Sequence, residues 1–242
     1  MALVHEMERS GNWLFKRRGW LPVFFLIPAF AFLYFSEKIE YNPIPEAIFI
    51  VVGMSGQLIR ALTVGRTPKG TSGRNIKGQI ASQLNTSGMY SLIRHPLYIG
   101  NLLMWLGPVL FLRSLWFTLF FCLLYWLYYE RIMFAEEQFL RKKFGKQYDK
   151  WSENVKAFLP AFKNYRKADL PFSFRNVLKR EYHGLANMFI IFSMLDLARN
   201  YINEFTIRLN PIWLWSLIVV MIIWLVIRVL VKSTGVLNVK GR

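Results

Sequence analysis

The apolar residues of this chain fall in blocks of 15 to 21, and the lysines and arginines fall between those blocks. A helix needs about 20 mostly apolar residues to cross a bilayer, so the pattern points to a bundle of membrane helices. Of the 242 residues, 54% are hydrophobic and 19% charged, against about 25% charged in soluble domains. The mean hydropathy is +0.27. A disordered chain and a free-standing soluble enzyme are excluded. The net charge of +17 would suit a nucleic-acid binder, but basic residues between apolar blocks have the pattern of cytoplasmic loops. No nucleic-acid partner is expected. The single cysteine, Cys122, lies inside an apolar block, so neither an intrachain disulfide nor a cysteine metal cluster can form, and no metal is expected.

Trp20–Ser36 reads as a first span, kinked by Pro22 and Pro28. The residues before it lack the small-residue cleavage site of a secretory signal, so this span is expected to stay as an anchor. His5 is placed in a mobile terminus without a role. Pro45–Leu62 is a second span, ending in Gln57 and Arg60, and its Gly53 and Gly56 let a neighbouring helix approach closely. Leu97–Leu112 and Leu115–Tyr129, split by Arg113-Ser114, are short and read as a tilted helical hairpin. Residues 131–183 are charged and read as a helix plus a loop. Gly184–Arg199, broken by Asp196, is a weaker fifth span. Pro211–Val231 is the clearest, with 21 residues and one charge.

Charge sets the orientation. Four Lys/Arg lie in 1–19, five in 63–95 and thirteen in 131–183, and six crossings bring all three segments to one side, the cytoplasmic one. The expected fold is an all-α integral membrane protein with about six transmembrane helices. Both termini and the active site are expected to be cytosolic, in a bacterial inner membrane or the endoplasmic reticulum. Residues 1–62 hold the first two helices, 63–165 a central unit with the hairpin, and 166–242 an extension with the last two.

Two stretches carry chemistry. Asn85 to Asn101 reads N-T-S-G-M-Y-S-L-I-R-H-P-L-Y-I-G-N. Gly88 permits a tight turn, and Pro96 suits the first turn of the following helix. Arg94, His95 and Tyr98 then stand around a helix N-terminus, whose free N–H groups suit a carboxylate or phosphate. In the second stretch Glu136-Glu137 is followed by Phe139, Leu140 and Phe144 at helical spacing, with Gly145 as a stop. Glu136 lies about one turn beyond the membrane end of its helix and could meet a cation.

The order S-G-x-Y-x-x-x-R-H-P-x-Y-x-G, hydrophobic hairpin, E-E-x-x-L-x-x-x-F-G-x-x-Y resembles the isoprenylcysteine carboxyl methyltransferase family, which is grouped with phospholipid methyltransferases. The resemblance covers roughly residues 74–160. It implies a membrane-embedded methyltransferase that uses S-adenosylmethionine and acts on a lipid or isoprenylated substrate. It sets Tyr90, His95, Pro96, Leu97 and Tyr98 against the cofactor and Ser82 to Asn85, with Leu84 and Asn85, along the adenine. Glu136 would face the methionine amine, and Asn75 falls near a cofactor-binding Gln position. Arg94 and Arg131 are the candidate catalytic residues. Arg131 is the nearest counterpart of a substrate-side Arg in the family, but it is one position off, about 100° around a helix.

The extension departs from the family pattern. Its run of Arg175, Lys179, Arg180 and His183 meets the membrane and could bind an anionic headgroup. No strong base candidate stands out, which favours a carboxylate or phosphate oxygen as methyl acceptor over a phospholipid amine. An NADPH-dependent sterol-reductase-like enzyme shares the Arg-His-Pro-x-Tyr motif, but typically has Asn and an acid where this chain has Leu97 and Asn101. A membrane scaffold or transporter is a third alternative.

Overall fold

Helix α3 (Pro43–Val64) starts where the Asn42 side chain accepts a hydrogen bond from the Ile44 amide and Pro43 fills the first turn, both favoured at a helix start. Ser114 and Ser173 cap α6 (Leu115–Phe144) and α8 (Phe174–Glu204) through their side chains. Helices α5 (Pro96–Leu110) and α9 (Pro211–Ser233) open on prolines. The shorter elements are α1 (Ala2–Arg17), α2 (Leu26–Phe35, after a 3-10 turn at Leu21–Phe25), α4 (Met89–Leu92) and α7 (Lys146–Asn154). The computed structural model describes residues 2–71 and 78–242, and no strand occurs among them. The chain is an all-helical membrane protein. Helices α3, α6 and α9 are long and apolar enough to cross a bilayer, while Ala2–Arg17 and Leu21–Phe35 reach that length only as a pair bent by 85°.

Several elements differ from the sequence expectation. The third expected span is the 15-residue α5. Helix α6 does not stop at Tyr129 but runs unbroken for 30 residues, because no Gly or Pro interrupts it until Gly145, which adopts φ +51. Helix α8 begins ten residues before Gly184 and takes the basic run into its first turns. The N-terminus is not a loose tail: α1 docks on α6, burying Gly11 and Phe15. A Cβ on Gly11 would stand 2.0 Å from the Arg131 carbonyl oxygen, so this approach needs glycine. Lys142 pairs with Glu8 at 2.6 Å across the same contact.

The tightest seam joins α3 and α5. A Cβ on Gly56 would lie 2.4 Å from the Gly100 carbonyl oxygen, and one on Gly100 would lie 2.4 Å from Arg60 Cγ. Small residues here replace a hydrophobic driving force, which lipid does not supply between membrane helices. At one end of the bundle Arg242 ties the segments around Gly65 and Pro171, donating to the carbonyls of Gly65 (2.7 Å) and Pro171 (2.6 Å).

The opposite end is closed by buried charge. Arg199 donates to Glu46 at 2.5 Å and also to Asp196, and the Trp213 indole donates to the second Glu46 oxygen. Asn210 donates to Asp196 from its backbone (2.7 Å) and its side chain (2.9 Å). The Arg199 guanidinium lies 4.5 Å from the Phe111 ring centre. Glu46, Asp196, Arg199 and Trp213 are all buried, and together they tie α3, α8 and α9. Asp196, expected to break a span, instead anchors one.

Candidate active site

The α4 turn and Pro96 set His95 at the mouth of α5, where its backbone forms the N-cap and no side chain caps the helix. The same fold brings the last turns of α6 alongside. His95 Nε2 lies 2.9 Å from Glu137 Oε1, and its Nδ1 lies 3.6 Å from Glu136 Oε2. Arg94 Nε pairs with the same Glu137 oxygen at 2.9 Å, and its Nη1 donates to the Ser152 carbonyl at 2.9 Å. Two carboxylates therefore bracket one imidazole. Burial alone would lower the His95 pKa, but the bonds and charges of Glu136 and Glu137 outweigh it and hold the ring above its ordinary 6.5. Burial would raise Glu137, but the His95 bond and the charges of His95 and Arg94 win, leaving this carboxyl below its ordinary value. Burial also pushes the Tyr148 hydroxyl up, helped by the charge of Glu137.

This polar end opens into a cavity of about 690 Å³. The cavity continues past Asn101 and Tyr129 into an apolar arm walled by Leu26, Met104, Trp105, Met188, Ile191 and Met194. Between the two ends stands Arg60. It holds Glu181 through two nitrogens at 2.7 and 2.9 Å and donates to Asn101 at 2.5 Å. Asn101 in turn donates to the Tyr129 hydroxyl at 3.1 Å. Glu181 is 4% exposed, and the bidentate geometry leaves the Arg60 charge fixed in place.

Of the expected site residues, Leu84, Asn85, Tyr90, Arg94, His95, Pro96, Leu97, Tyr98 and Glu136 all line this one cavity, and so do Arg180 and His183. Three do not. Arg131 is exposed and donates to Ser10 at 3.2 Å. It sits five residues before Glu136, which turns it about 140° around α6, onto the side that meets α1. Arg175 is exposed and away from the cavity, and Lys179 donates to Asn238 at 2.7 Å. Asn75 lies outside the described residues. Sequence reasoning missed Arg60, Asn101, Glu181 and the clamping role of Glu137. Arg60 did carry a signal, as a lone charge in the last turn of an apolar block.

A family model described as phospholipid methyltransferase matches residues 47–147. The chain is also similar to a "Probable protein-S-isoprenylcysteine O-methyltransferase" of rice, Oryza sativa, with 32% identity over 134 residues, covering 53% of this chain and 67% of that protein. The chain belongs to the isoprenylcysteine methyltransferase family. This family and its phospholipid-methyltransferase relatives are membrane methyltransferases, and the matched region holds α5, α6 and both carboxylates of the site. A protein-S-isoprenylcysteine O-methyltransferase of Schizosaccharomyces pombe is 30% identical over 95 residues, 37% of this chain and 40% of its own. The cobalt-zinc-cadmium resistance protein CzcN of Cupriavidus metallidurans is 34% identical over 119 residues, 49% of this chain and 52% of its own. No solved structure matches the chain.

Proposed function

We propose that the protein is an S-adenosylmethionine-dependent methyltransferase acting on a carboxylate or phosphate oxygen of a lipidic or isoprenylated acceptor. The observation that carries this reading is the continuity of one cavity from the His95–Glu136–Glu137 end to the apolar arm. A polar cofactor and an apolar acceptor can meet inside it. The donor set fits the cofactor. Glu137 is engaged at 2.9 Å by both His95 and Arg94, whereas Glu136 stands 3.6 Å from His95 with the Tyr98 hydroxyl as a further partner, and no Arg or Lys pairs with it among the described residues, which leaves its charge to an ammonium. The uncapped start of α5 favours a carboxylate, and Leu84, Asn85 and Leu97 offer apolar walls and an amide to an adenine. When bound, S-adenosylmethionine supplies a methyl group on a sulfonium.

The chain's own part is alignment and the exclusion of water, which contribute several kcal/mol by proximity. An oxygen anion needs no base, and Arg180 and His183 stand on the acceptor side for its charge. On this reading 63–165 is the methyltransferase unit and 166–242 adds a wall to it. Calorimetry on the purified protein should give binding heat with S-adenosylhomocysteine and none with NADPH. The reverse result would make the protein a reductase and overturn the reading, and methylation of a phospholipid amine would replace the oxygen acceptor.

We further infer that the end of the bundle bearing the site and the termini faces the cytosol, as the basic segments require. A cysteine placed at Asn42 or Asn210 should be labelled from outside by an impermeant maleimide, and one at Lys69 or Lys163 should not. External labelling at Lys163 would reverse the orientation.

A further inference from the structure

We propose that residues 156–167, which lie beyond the end of the family match at 147, dock on anionic lipid headgroups and in doing so brace the cofactor end of the site. The docking does not depend on the methyltransferase reading, whereas its effect on the cofactor rests on it.

Leu159, Phe162 and Tyr165 are 66%, 74% and 57% exposed, yet they belong to none of the helices long and apolar enough to cross a bilayer. Outside a span, such a row marks a contact surface. Phe162 opens a single 3-10 turn that Tyr165 closes, and side chains three apart on such a turn stand on one side. Phe158 sets the depth of the row. Its ring meets the exposed Trp126 edge-on, with centres 5.3 Å apart. Trp126 stands one turn before Glu130, the first charge of α6, at the boundary of hydrocarbon and headgroups where tryptophan collects. The row next to Phe158 therefore reaches the headgroup layer.

Charge names the occupant. Lys156, Lys163, Arg166 and Lys167 are all exposed, and no acid lies among residues 155–168. Cations interleaved with apolar side chains match an anionic leaflet, where each Lys or Arg gains about fivefold in affinity.

The same strap holds the stretch that leads into His95. The Lys156 carbonyl accepts from the Arg94 amide, the Leu92 carbonyl from the Ala161 amide and the Arg166 carbonyl from the Gly88 amide, all at 2.9 Å. The Arg166 amide donates to Ser91 Oγ at 2.9 Å. Tyr90, Arg94 and His95 in that stretch line the cavity. A strap fixed on lipid leaves Gly88 to Arg94 fewer ways to open. Lipid and cofactor should then each strengthen the binding of the other.

The test uses the purified full chain in nanodiscs of phosphatidylcholine, alone or mixed with phosphatidylglycerol. A nitrobenzoxadiazole label on Phe162→Cys, in a Cys122→Ser background, should shift to the blue in the anionic discs relative to the zwitterionic ones. Salt at 1 M, which shortens screening to about 3 Å, should reverse the shift. S-adenosylhomocysteine should bind at least about fivefold tighter in the anionic discs, the low end of coupling between two sites. Lys163→Glu with Lys167→Glu leaves the strap without net charge and should abolish both effects, with cofactor affinity in zwitterionic discs unchanged. A label that responds alike in the two discs, or stays in water in both, overturns the proposal and gives the row to an apolar or a protein contact. The same shift produced by soluble glycerol phosphate in zwitterionic discs also overturns it, by making a free anion the ligand. A shifted label with equal cofactor affinity in both discs refutes the brace. A shifted label with no S-adenosylhomocysteine binding upholds the docking and refutes the methyltransferase reading.

Discussion

Replacing Glu136 by Gln is expected to weaken S-adenosylhomocysteine binding about ten- to 150-fold, the loss of one charge-assisted hydrogen bond of about 1.5–3 kcal/mol. Glu137→Gln should weaken it less and act by another route. Glu137 already pairs with His95 and Arg94, so its neutral form leaves the cofactor's own partner in place but removes part of what holds the His95 proton. His95 is raised above its ordinary value, so its stabilising contribution is complete below about pH 6.5 and is lost as pH rises through the folded-state value. Glu137 is lowered, so its contribution is present above the ordinary carboxylate range and is lost as pH falls through its own folded value. Glu137→Gln should therefore pull the alkaline limb of cofactor binding to lower pH, while Glu136 remains to hold part of the shift. Equal losses of affinity for the two variants, with no movement of the pH profile, would mean that the two acids share one task.

Arg199→Met should destabilise the protein by about 3–5 kcal/mol, the effect of breaking a buried ion pair. Glu46 and Asp196 would both stay buried and lose their shared cation. The expected readout is a marked fall in the unfolding midpoint in detergent, with cofactor affinity per folded molecule unchanged because the site lies at the other end of the bundle. Arg199→Lys should not restore stability, since one ammonium cannot reach two separate carboxylates while stacking on Phe111. A midpoint within measurement error of wild type would show that the network is ornamental.

What could be read from the sequence was local. The starts of α3, α5, α6 and α9 lie within two residues of those read from the apolar blocks and carry Asn, Ser or Pro at their first positions, whereas the apolar blocks reveal only the later half of α8 and miss its start, capped by Ser173. The meeting of the His95 and Glu136 stretches follows from a short hairpin. Helix α1 was hidden because an apolar-block reading passes over an amphipathic helix whose buried positions, Gly11 and Phe15, are few. Arg131 was misplaced because one residue of register is enough to swing a side chain from the cavity to the α1 side. Arg60 meets Glu181 across 121 positions of chain, and Glu46 meets Arg199 across 153. No period or motif links residues so far apart, and only packing brings them together.

The distance between Arg60 and Glu181 along the chain also has a meaning in time. A ribosome delivers α3, α5 and α6 first, and the glycine seam of α3 and α5 needs nothing from later residues to close. Until α8 is made, Arg60 has no carboxylate from Glu181 and the cavity lacks one side. A lone arginine deep in a bilayer would cost about 2.5–3.5 kcal/mol. Arg60, only one turn from the end of α3, can meanwhile extend its head to the interface. The nascent protein thus closes its glycine seam before α8 completes the cavity, and the arrival of Glu181 turns a surface charge into an interior one.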